Sequence, residues 1–354
     1  MVFNIRVILA LAALAVSTHA VTTTELAAVE AAIAASFGLQ PASYGVPCEP
    51  CAQGDVVGGL LRLGFHDATG GSGRTDGCID RNTQDNAGLE PIVLQLHNAW
   101  VPFAGIISFA DTVVVAGNLA IRVATTTANT RGGGGGVGPP EANSGPLIIP
   151  FRFGRLDSVS PDPSTPFTCS DQGALPAPTL SFSESQQFFG SRFGLTPIEL
   201  VALFGAHSCG RAEAANSGIE GGWTAFQSSL STLYYRELVQ PRWNKINAVD
   251  WRDNQNHLQL TSDVELVVDT SSGKTSTTGL VACSNKENLC FALFRASPFQ
   301  AAPISILVPA PGETAAPSRT PSAQQCSSLQ TLVAHQHFTQ TLHRRGTRWL
   351  KPGT

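Results

Sequence analysis

Residues 60–71 read LLRLGFHDATGG, an apolar run that three polar side chains interrupt. Arg62 and His66 are spaced i, i+4, so on a helix they lie one above the other on the same face. Asp67 follows at once. An Arg–His pair on a helix usually marks a solvated edge, but the leucines and the phenylalanine around this pair argue for burial. Buried polar groups cost free energy unless they are bonded or used. The stretch therefore predicts a helix with a functional inner face.

A second histidine, His207, lies in a similar apolar segment, VALFGAHSCGRA at 201–212. A lone histidine in a core is ordinarily a packing residue. Two of them, each in a helix-like segment with small neighbours, favour a shared function instead. The two segments are 141 residues apart, counted between His66 and His207, so only the folded chain can bring them together.

Helix-like apolar spacing recurs along the chain, whereas strand signals are few. Asp55 is expected to cap the helix that carries Arg62. Thr196, Pro197 and Glu199 form a capping box with proline at the first helical position, and this predicts a helix that runs through His207. The predicted helices are 24–37, 55–67, 86–99, 104–124, the one beginning after Thr196, and segments within 224–240 and 261–268.

The first twenty residues predict export. Arg6 precedes an apolar run, and small residues end at Ala20, where a signal peptidase would cut. The apolar run is too short to span a membrane, and no other stretch approaches a span. We therefore expect a secreted protein that lacks residues 1–20.

The cysteine and methionine contents restrict the chemistry further. An even number of cysteines in an exported chain favours disulfides, whose connectivity the sequence leaves open. Cys48 and Cys51 form a CxxC without a second such pair, which argues against a zinc site. The only methionine is Met1, so the mature protein offers no thioether ligand. The eight cysteines are Cys48, Cys51, Cys78, Cys169, Cys209, Cys283, Cys290 and Cys326.

Charge and composition change near residue 303. The formal net charge is −4, and residues 303–354 are basic, so the negative charge falls on 21–302. An acidic body argues against nucleic acid as a partner. Residues 125–148 are glycine-rich and predict a flexible loop. Proline, serine and threonine dominate 303–354, which predicts a disordered tail.

LLRLGFHD and LVALFGAHSCGRA resemble the two signature helices of the plant, fungal and bacterial haem peroxidase superfamily. The resemblance extends over about 40 to 300 and includes the segments DNAGL, ISFADTVVVAG, IPFRFGRLD and TSDVEL. It implies a mainly α fold with little β structure, in which a distal lobe (21–150) and a proximal lobe (151–302) sandwich one b-type haem. The chain has no CxxCH motif, so the haem is expected to be non-covalent.

The resemblance also assigns roles on the distal side. His66 would take a proton from bound hydrogen peroxide and return it to the departing oxygen. Arg62 would stabilise the negative charge that develops there. Asn86 would accept a hydrogen bond from Nδ1 of His66, which keeps Nε2 basic. Phe65 would exclude water from the distal pocket.

On the proximal side, His207 matches the axial ligand of the haem iron. Asp263 matches the buried aspartate that accepts a hydrogen bond from the ligand's other nitrogen, which favours high oxidation states of iron. Trp223 is expected to stack against His207. It could hold a radical or merely pack, and the sequence leaves both possibilities open.

Two cation sites follow from the same resemblance. Asp67, Asp76, Gly77 and Cys78 align with the distal calcium site of secreted members, although a thiol is a poor partner for calcium. A second, proximal cation site matches at Ser208 and Thr224. Ser231 stands where that site has an aspartate, so we expect weak binding there or none.

Several positions that the family uses for specific substrates have changed in this chain. Asn216 replaces the arginine that binds ascorbate in ascorbate peroxidases, and Ala202 replaces the surface tryptophan of lignin-degrading members. The three manganese-ligand positions hold Asp55, Gly59 and Gly210, so only one carboxylate remains. These substitutions leave small phenolic or similar one-electron donors as the expected substrates.

The chain therefore resembles a hybrid. Export and cysteines are typical of the fungal ligninase-like class, whereas SGIEGGWT at 217–224 resembles the intracellular ascorbate and cytochrome c peroxidases. We predict a monomeric peroxidase that acts on hydrogen peroxide and small donors. Two alternatives stay open: an exported haem-binding or cell-wall-associated protein with little turnover, and a peroxidase that takes electrons from ascorbate or a protein through Trp223.

Overall fold

The computed structural model describes residues 20–39, 52–70, 73–130, 149, 151–158, 175–230, 233–239, 243–272 and 274–275. The predicted signal peptide, apart from Ala20, the 303–354 tail and most of the glycine-rich loop lie outside these residues, so the predictions about them stay predictions. The lobe boundaries and the monomeric state also remain predictions. None of the helices in the described ranges has the length and apolar character needed to cross a bilayer.

The predicted mainly α fold is confirmed. Within the described part of the chain the helices are α1 (Thr23–Phe37), α2 (Ala52–Thr69), α3 (Glu90–Trp100), α4 (Phe109–Thr130), α5 (Phe182–Phe193), α6 (Pro197–Phe204), α7 (Ala214–Ser217), α8 (Leu233–Leu238) and α9 (Thr261–Val264). Single 3₁₀ turns occupy Gln84–Asn86, Val101–Phe103 and Gly205–Ser208.

Helices α1 to α4 form the distal side around one hydrophobic cluster. Ile33, Leu63, Leu96 and Ile121 are at most 1% exposed and represent the four helices in that cluster. Helix α1 begins with a capping box, in which the Thr22 hydroxyl and the Glu25 carboxylate bond each other's backbone N–H groups. Because each helix buries one apolar face against the others, the lobe presents α2 as a rigid support for its polar side chains.

The proximal side has its own cluster, built from α5, α6 and α8. Phe189, Leu200 and Leu238 lie at its centre, and Ala68 of α2 joins it. Helix α6 begins with the predicted capping box of Thr196 and Glu199. Helix α5 begins with the same motif, Ser181 and Glu184, and our prediction missed it.

Several predicted helix boundaries were wrong. Helix α6 ends at Phe204, and His207 lies in the 3₁₀ turn that follows. Asn86 likewise lies in a 3₁₀ turn and not in α3. Helix α2 begins at Ala52, so Asp55 belongs to its first turn and is not its cap. Helices α8 and α9 are much shorter than the segments predicted for them.

Short antiparallel strands frame the proximal site. They are β1 (Arg211–Ala212) paired with β2 (Gly221–Gly222), β3 (Asn244–Lys245), β4 (Asp250–Arg252) and β5 (Leu258–Leu260) in one sheet, and β6 (Val268–Asp269) paired with β7 (Lys274–Thr275). Strand β5 runs directly into α9, which carries Asp263. The β4–β5 pairing, with Asp250 opposite Leu260, therefore fixes the start of α9.

A buried ion pair ties the segment 151–158 to α4. Nη1 of Arg155 lies 2.7 Å from Oδ1 of Asp111, and both side chains are less than 10% exposed. Asp157 accepts hydrogen bonds from the backbone N–H groups of Phe109 and Ala110 at the start of α4. The resulting positions of 151–158 are specified by charge as well as by packing.

Two glycines bring the distal and proximal sides into backbone contact. A Cβ atom on Gly58 of α2 would lie 2.8 Å from Cα of Gly210, which is closer than real Cβ contacts come. Gly210 has φ of +80°, in the left-handed region that favours glycine. Glycine at both positions thus sets how near α2 approaches the segment that follows His207.

Replacing Gly58 with alanine should therefore destabilise the protein. The added methyl group meets backbone, which cannot rotate away, and overpacking of this kind costs about 1–3 kcal/mol. The matched control is Gly59→Ala on the same helix, where the new Cβ would meet the Ile92 side chain, not backbone, at 3.1 Å. Urea unfolding of the two variants checks this, and equal free energies of unfolding would contradict it.

Candidate active site

One face of α2 carries the distal side chains. Gly58, Arg62 and His66 follow each other at four-residue intervals, so they lie in a row along the helix. The Arg62 guanidinium donates to the carbonyls of Ala87 at 2.9 Å and Asp85 at 2.8 Å. Its Nε donates to Nε2 of His66 at 3.4 Å. Arg62 is thereby held beside His66 by the loop that precedes α3.

Asn86 fixes the orientation of the His66 ring. Oδ1 of Asn86 lies 2.8 Å from Nδ1 of His66, and the Asn86 amide nitrogen donates to the Asp80 carbonyl at 2.8 Å. Because an amide oxygen can only accept, this network assigns the proton to Nδ1 and leaves Nε2 as the basic nitrogen. The predicted His66–Asn86 contact is present.

The environment keeps His66 neutral. Burial and the neighbouring Arg62 cation lower the pKa of His66 to about 3, against the opposing effect of the hydrogen bond with Asn86. Burial also lowers the pKa of Arg62, and Asp85 and Glu213 oppose this shift. The result is a neutral base next to a cation, which is the combination that proton transfer from peroxide needs.

Phe65 borders the same face. Its ring packs edge to face against His66, with ring centroids 5.9 Å apart. The centroid of the Phe189 ring of α5 lies 6.2 Å from that of Phe65. Phe65 therefore packs between His66 and α5, and its predicted role in excluding water stays a prediction.

On the proximal side, His207 is anchored by a buried carboxylate. Nδ1 of His207 lies 2.8 Å from Oδ1 of Asp263, whose side chain is 0% exposed. The Tyr234 hydroxyl donates to the same oxygen at 2.6 Å, and the Leu260 N–H donates to Oδ2 at 2.8 Å. Burial lowers the pKa of His207, but the charge and hydrogen bond of Asp263 outweigh burial and raise it.

Trp223 lies parallel to His207, with ring centroids 4.6 Å apart and an angle of 10° between the planes. Both backbone groups of Trp223 are hydrogen-bonded. The N–H donates to the Gly210 carbonyl at 3.4 Å, and the carbonyl accepts from the Gln259 side-chain amide at 3.1 Å. The predicted stack is therefore present, and it fixes the plane of the His207 ring.

Two contacts bring the histidine-bearing helix α2 against the proximal side. Helix α2 touches the proximal side at Gly210 and again at its far end, where Arg192 of α5 donates to the Gly70 carbonyl. Asp263 occupies Nδ1 of His207, so Nε2 is the ring atom left to bind a metal. The His207 side chain is 33% exposed although the carboxylate behind it is fully buried. These residues fit a haem bound through Nε2 of His207.

The predicted distal cation site has a buried acidic centre. Asp67 and Asp76 are each 2% exposed. The Asp67 carboxylate accepts backbone N–H groups of Gly77 and Cys78, both at 3.2 Å. Burial and the neighbouring Asp76 raise the pKa of Asp67 well above its usual range, although these hydrogen bonds lower it. In the described ranges no group of three or more His, Cys, Asp or Glu side chains could hold a metal ion.

The prediction of Cys78 as a thiol ligand of calcium needs correction. Cys78 is disulfide-bonded, so it has no thiol to offer a cation. Cys209 is a free thiol, although an even count favoured pairing. Cys209 lies two residues after His207 in the distal hydrophobic cluster, and burial raises its pKa to about 12. A protonated, buried thiol is a packing residue.

The two residues of the predicted proximal cation site, Ser208 and Thr224, are hydrogen-bonded to each other. The Thr224 hydroxyl donates to the Ser208 carbonyl at 3.0 Å, and both residues are buried. Ser231 lies outside the described residues. The bond ties β2 and the Trp223 segment to the turn that carries His207.

The donor positions other than Gly210 are spread over three helices, and Asn216 lies where α7 meets the loop before α3. The Asn216 side-chain amide donates to the Glu213 carboxylate at 2.8 Å, and the Asn216 backbone carbonyl accepts from the Gln84 side chain at 2.9 Å. Gly88 packs directly against the Asn216 side chain. Asp55 keeps a buried carboxylate oxygen without a hydrogen bond, and burial raises its pKa. Gly59 faces Ile92, and Ala202 lies in α6.

Sequence reasoning missed two parts of this site. Nothing in the segment LYYREL at 233–238 marks Tyr234 as a partner of Asp263, because the contact joins elements 29 residues apart. The Gly58–Gly210 contact joins residues that are even farther apart in sequence. The sequence shows glycine at both positions, but it does not predict that the two residues come into contact.

Comparison with known proteins defines the class. The family model described as Peroxidase matches residues 46–280, about two thirds of the chain. The chain belongs to this family. Its fold, its paired histidines and its relatives make it a haem peroxidase, an oxidoreductase that depends on hydrogen peroxide.

Two of the relatives are intracellular by name. The chain is 30% identical to cytosolic L-ascorbate peroxidase 2 of Oryza sativa subsp. japonica, over 59% of this chain and 71% of that protein. It is 31% identical to a mitochondrial cytochrome c peroxidase of Emericella nidulans, over 52% and 46%. A protein of Pyricularia oryzae that its name describes as a heme-binding peroxidase is 30% identical, over 52% and 56%.

The pKa of His66 predicts how pH limits the reaction with peroxide. Only the neutral ring can accept a proton, so the second-order rate constant should fall as pH drops toward about 3. Arg62→Leu removes a cation that lowers this pKa, so the acid limb should move to higher pH. Asn86→Ala removes a bond that raises it, so the limb should not move upward. Stopped-flow rates against pH check both, and a downward move in Arg62→Leu would contradict the assignment.

Proposed function

We propose that this enzyme reduces hydrogen peroxide with His66 as the proton carrier and oxidises small phenolic donors, one electron at a time. The observation that carries the first part is the pairing of a neutral His66, fixed by Asn86, with the Arg62 cation on the face of α2 that turns toward the His207 segment. His207, held by Asp263, would be the axial ligand of a non-covalent b-type haem. When bound, the haem supplies the two electrons that break the O–O bond.

The chain's own residues manage the protons and the charge. Nε2 of His66 accepts the proton of one peroxide oxygen and then delivers it to the other oxygen, which departs. The departing oxygen already carries a proton of its own, so this delivery and the cleavage of the O–O bond release it as water. Negative charge grows on the departing oxygen as the bond breaks, and the Arg62 guanidinium, already held by the Asp85 and Ala87 carbonyls, stabilises that charge without reorganising.

Neutral phenols suit the surroundings of Asn216 better than ascorbate does. The Asn216 side chain donates to the Glu213 carboxylate, so the position offers an amide and a negative charge where an anionic donor would need a cation. Export, as the first twenty residues predict, would also separate the enzyme from cytochrome c. A protein donor that acts through Trp223 is a second candidate, and the parallel His207–Trp223 stack favours it.

We also propose one calcium ion at the distal cluster, held by oxygens of Asp67 and Asp76 with neighbouring carbonyls. Two carboxylates buried side by side repel each other, and a divalent cation would relieve this. Cys78 could contribute only through its backbone.

Replacing His66 tests the function. His66→Ala should slow the reaction with peroxide by about 10²- to 10⁴-fold, because it loses the proton carrier. His257→Asn is the control, since His257 bonds Asp253 outside the site. In the wild type, phenols should then support turnover better than ascorbate, Mn(II) or cytochrome c. Equal peroxide rates in the His66 and His257 variants would refute the role of His66, and haem binding without turnover of any donor would favour a haem-binding protein.

Chelation tests the calcium proposal. EDTA should lower the melting temperature of the wild type, because a ligand at a hundredfold excess over its Kd stabilises by about 2.7 kcal/mol. Asp67→Asn should melt at a temperature that EDTA no longer changes. Asp250→Asn, at another buried carboxylate, should remain sensitive to EDTA. A wild type that EDTA leaves unchanged after prolonged dialysis would rule the ion out.

A further inference from the structure

Two side chains converge on one oxygen behind the proximal histidine. Oδ1 of Asp263 lies 2.8 Å from Nδ1 of His207 and 2.6 Å from the hydroxyl of Tyr234. Asp263 and Tyr234 are both 0% exposed, so water cannot substitute for either partner. Oδ2 is already bonded to the Leu260 N–H. The carboxylate therefore divides its accepting capacity between the histidine and the tyrosine.

This division has a definite electronic sign. A carboxylate that accepts a hydrogen bond from a phenol carries less negative charge on that oxygen and becomes a weaker base. A weaker base draws the Nδ1 proton of His207 less strongly, so the imidazole keeps less anionic character. Partners of this kind, one shell behind a ligand, tune the metal through the ligand.

Tyr234 is the donor in this bond, because an ionised carboxylate can only accept. Its ring also packs edge to face against His207, with centroids 6.5 Å apart. Its position is thus fixed by the hydrogen bond and by ring packing together.

We propose that Tyr234 is a positioning residue that limits how strongly Asp263 activates His207, and so sets the electron richness of the haem iron. This inference rests on the proposed role of His207 as the axial ligand. It assigns to Tyr234 a role in setting the reduction potential, which a residue that only packs would not have.

The neighbouring tyrosine supplies a matched control. Tyr235 is 2% exposed and contacts Tyr234, with ring centroids 4.9 Å apart. Its hydroxyl donates to the Val201 carbonyl at 2.7 Å. Tyr234→Phe and Tyr235→Phe each remove one buried hydroxyl from α8, but only the first removes a bond to Asp263.

The test is the midpoint potential of the haem iron in the full-length, haem-loaded protein, together with the iron–histidine stretching frequency of the ferrous form. Tyr234→Phe should move the midpoint to more negative values and raise the stretching frequency, because Asp263 then pulls harder on the Nδ1 proton. Tyr235→Phe should leave both unchanged. Equal values in the two variants would overturn the proposal.

A second background shows whether the effect passes through Asp263. In Asp263→Asn the further change Tyr234→Phe should add no shift, whereas a shift of the same size in both backgrounds would overturn the proposed route. If Tyr234→Phe does not fold, the test uses the Tyr235→Phe protein with ring-fluorinated tyrosine incorporated, so that Tyr234 is fluorinated and its neighbour at 235 is not. Fluorination makes the hydroxyl a stronger donor, so the midpoint should move to more positive values, and no shift or the opposite one would refute the proposal.

The outcomes separate this inference from the proposed function. A wild type whose haem is not ligated by histidine would refute the function itself. If histidine ligates the haem of the wild type, but Tyr234→Phe and Tyr235→Phe have the same midpoint potential and stretching frequency, only the role of Tyr234 is refuted.

Discussion

The proximal site depends on one buried carboxylate. Asp263 is fully enclosed, and a charge in that position is tolerable only because several donors are arranged around it. His207, Tyr234 and the Leu260 N–H come from a 3₁₀ turn, from α8 and from the end of β5. The requirement to satisfy one anion thus brings together three elements that are distant in sequence, and the position of the histidine follows from it.

The distal side is governed by a different constraint, the periodicity of a single helix. Gly58, Arg62 and His66 stand in one row because α2 is continuous from Ala52 to Thr69. The sequence predicted that Arg62 and His66 share a face, since i, i+4 residues of a helix are neighbours whatever the tertiary structure. The Asn86 contact also followed from the resemblance, although the residue lies in a 3₁₀ turn and not in the predicted helix.

What the sequence left open has a common physical cause. Helix α6 stops three residues before His207, because the turn geometry at Gly205–Ser208 is set by what packs around it rather than by local propensity. Tyr234 looked like any buried aromatic residue, since its importance lies in the orientation of its hydroxyl. Cys78 and Cys209 have different fates although a count of cysteines treats them alike. Contacts that join remote elements decide all three cases.

The backbone contact between Gly58 and Gly210 has a consequence for engineering. Gly58 lies one helical turn before Arg62, and Gly210 follows His207 closely, so the contact sets the separation of the two histidine-bearing segments through backbone alone. Design efforts toward bulky organic hydroperoxides would ordinarily begin by trimming Phe65. A larger residue at either glycine, with compensating changes nearby, offers a second route, because it would move the two segments apart and leave the side chains of Arg62 and His66 unchanged.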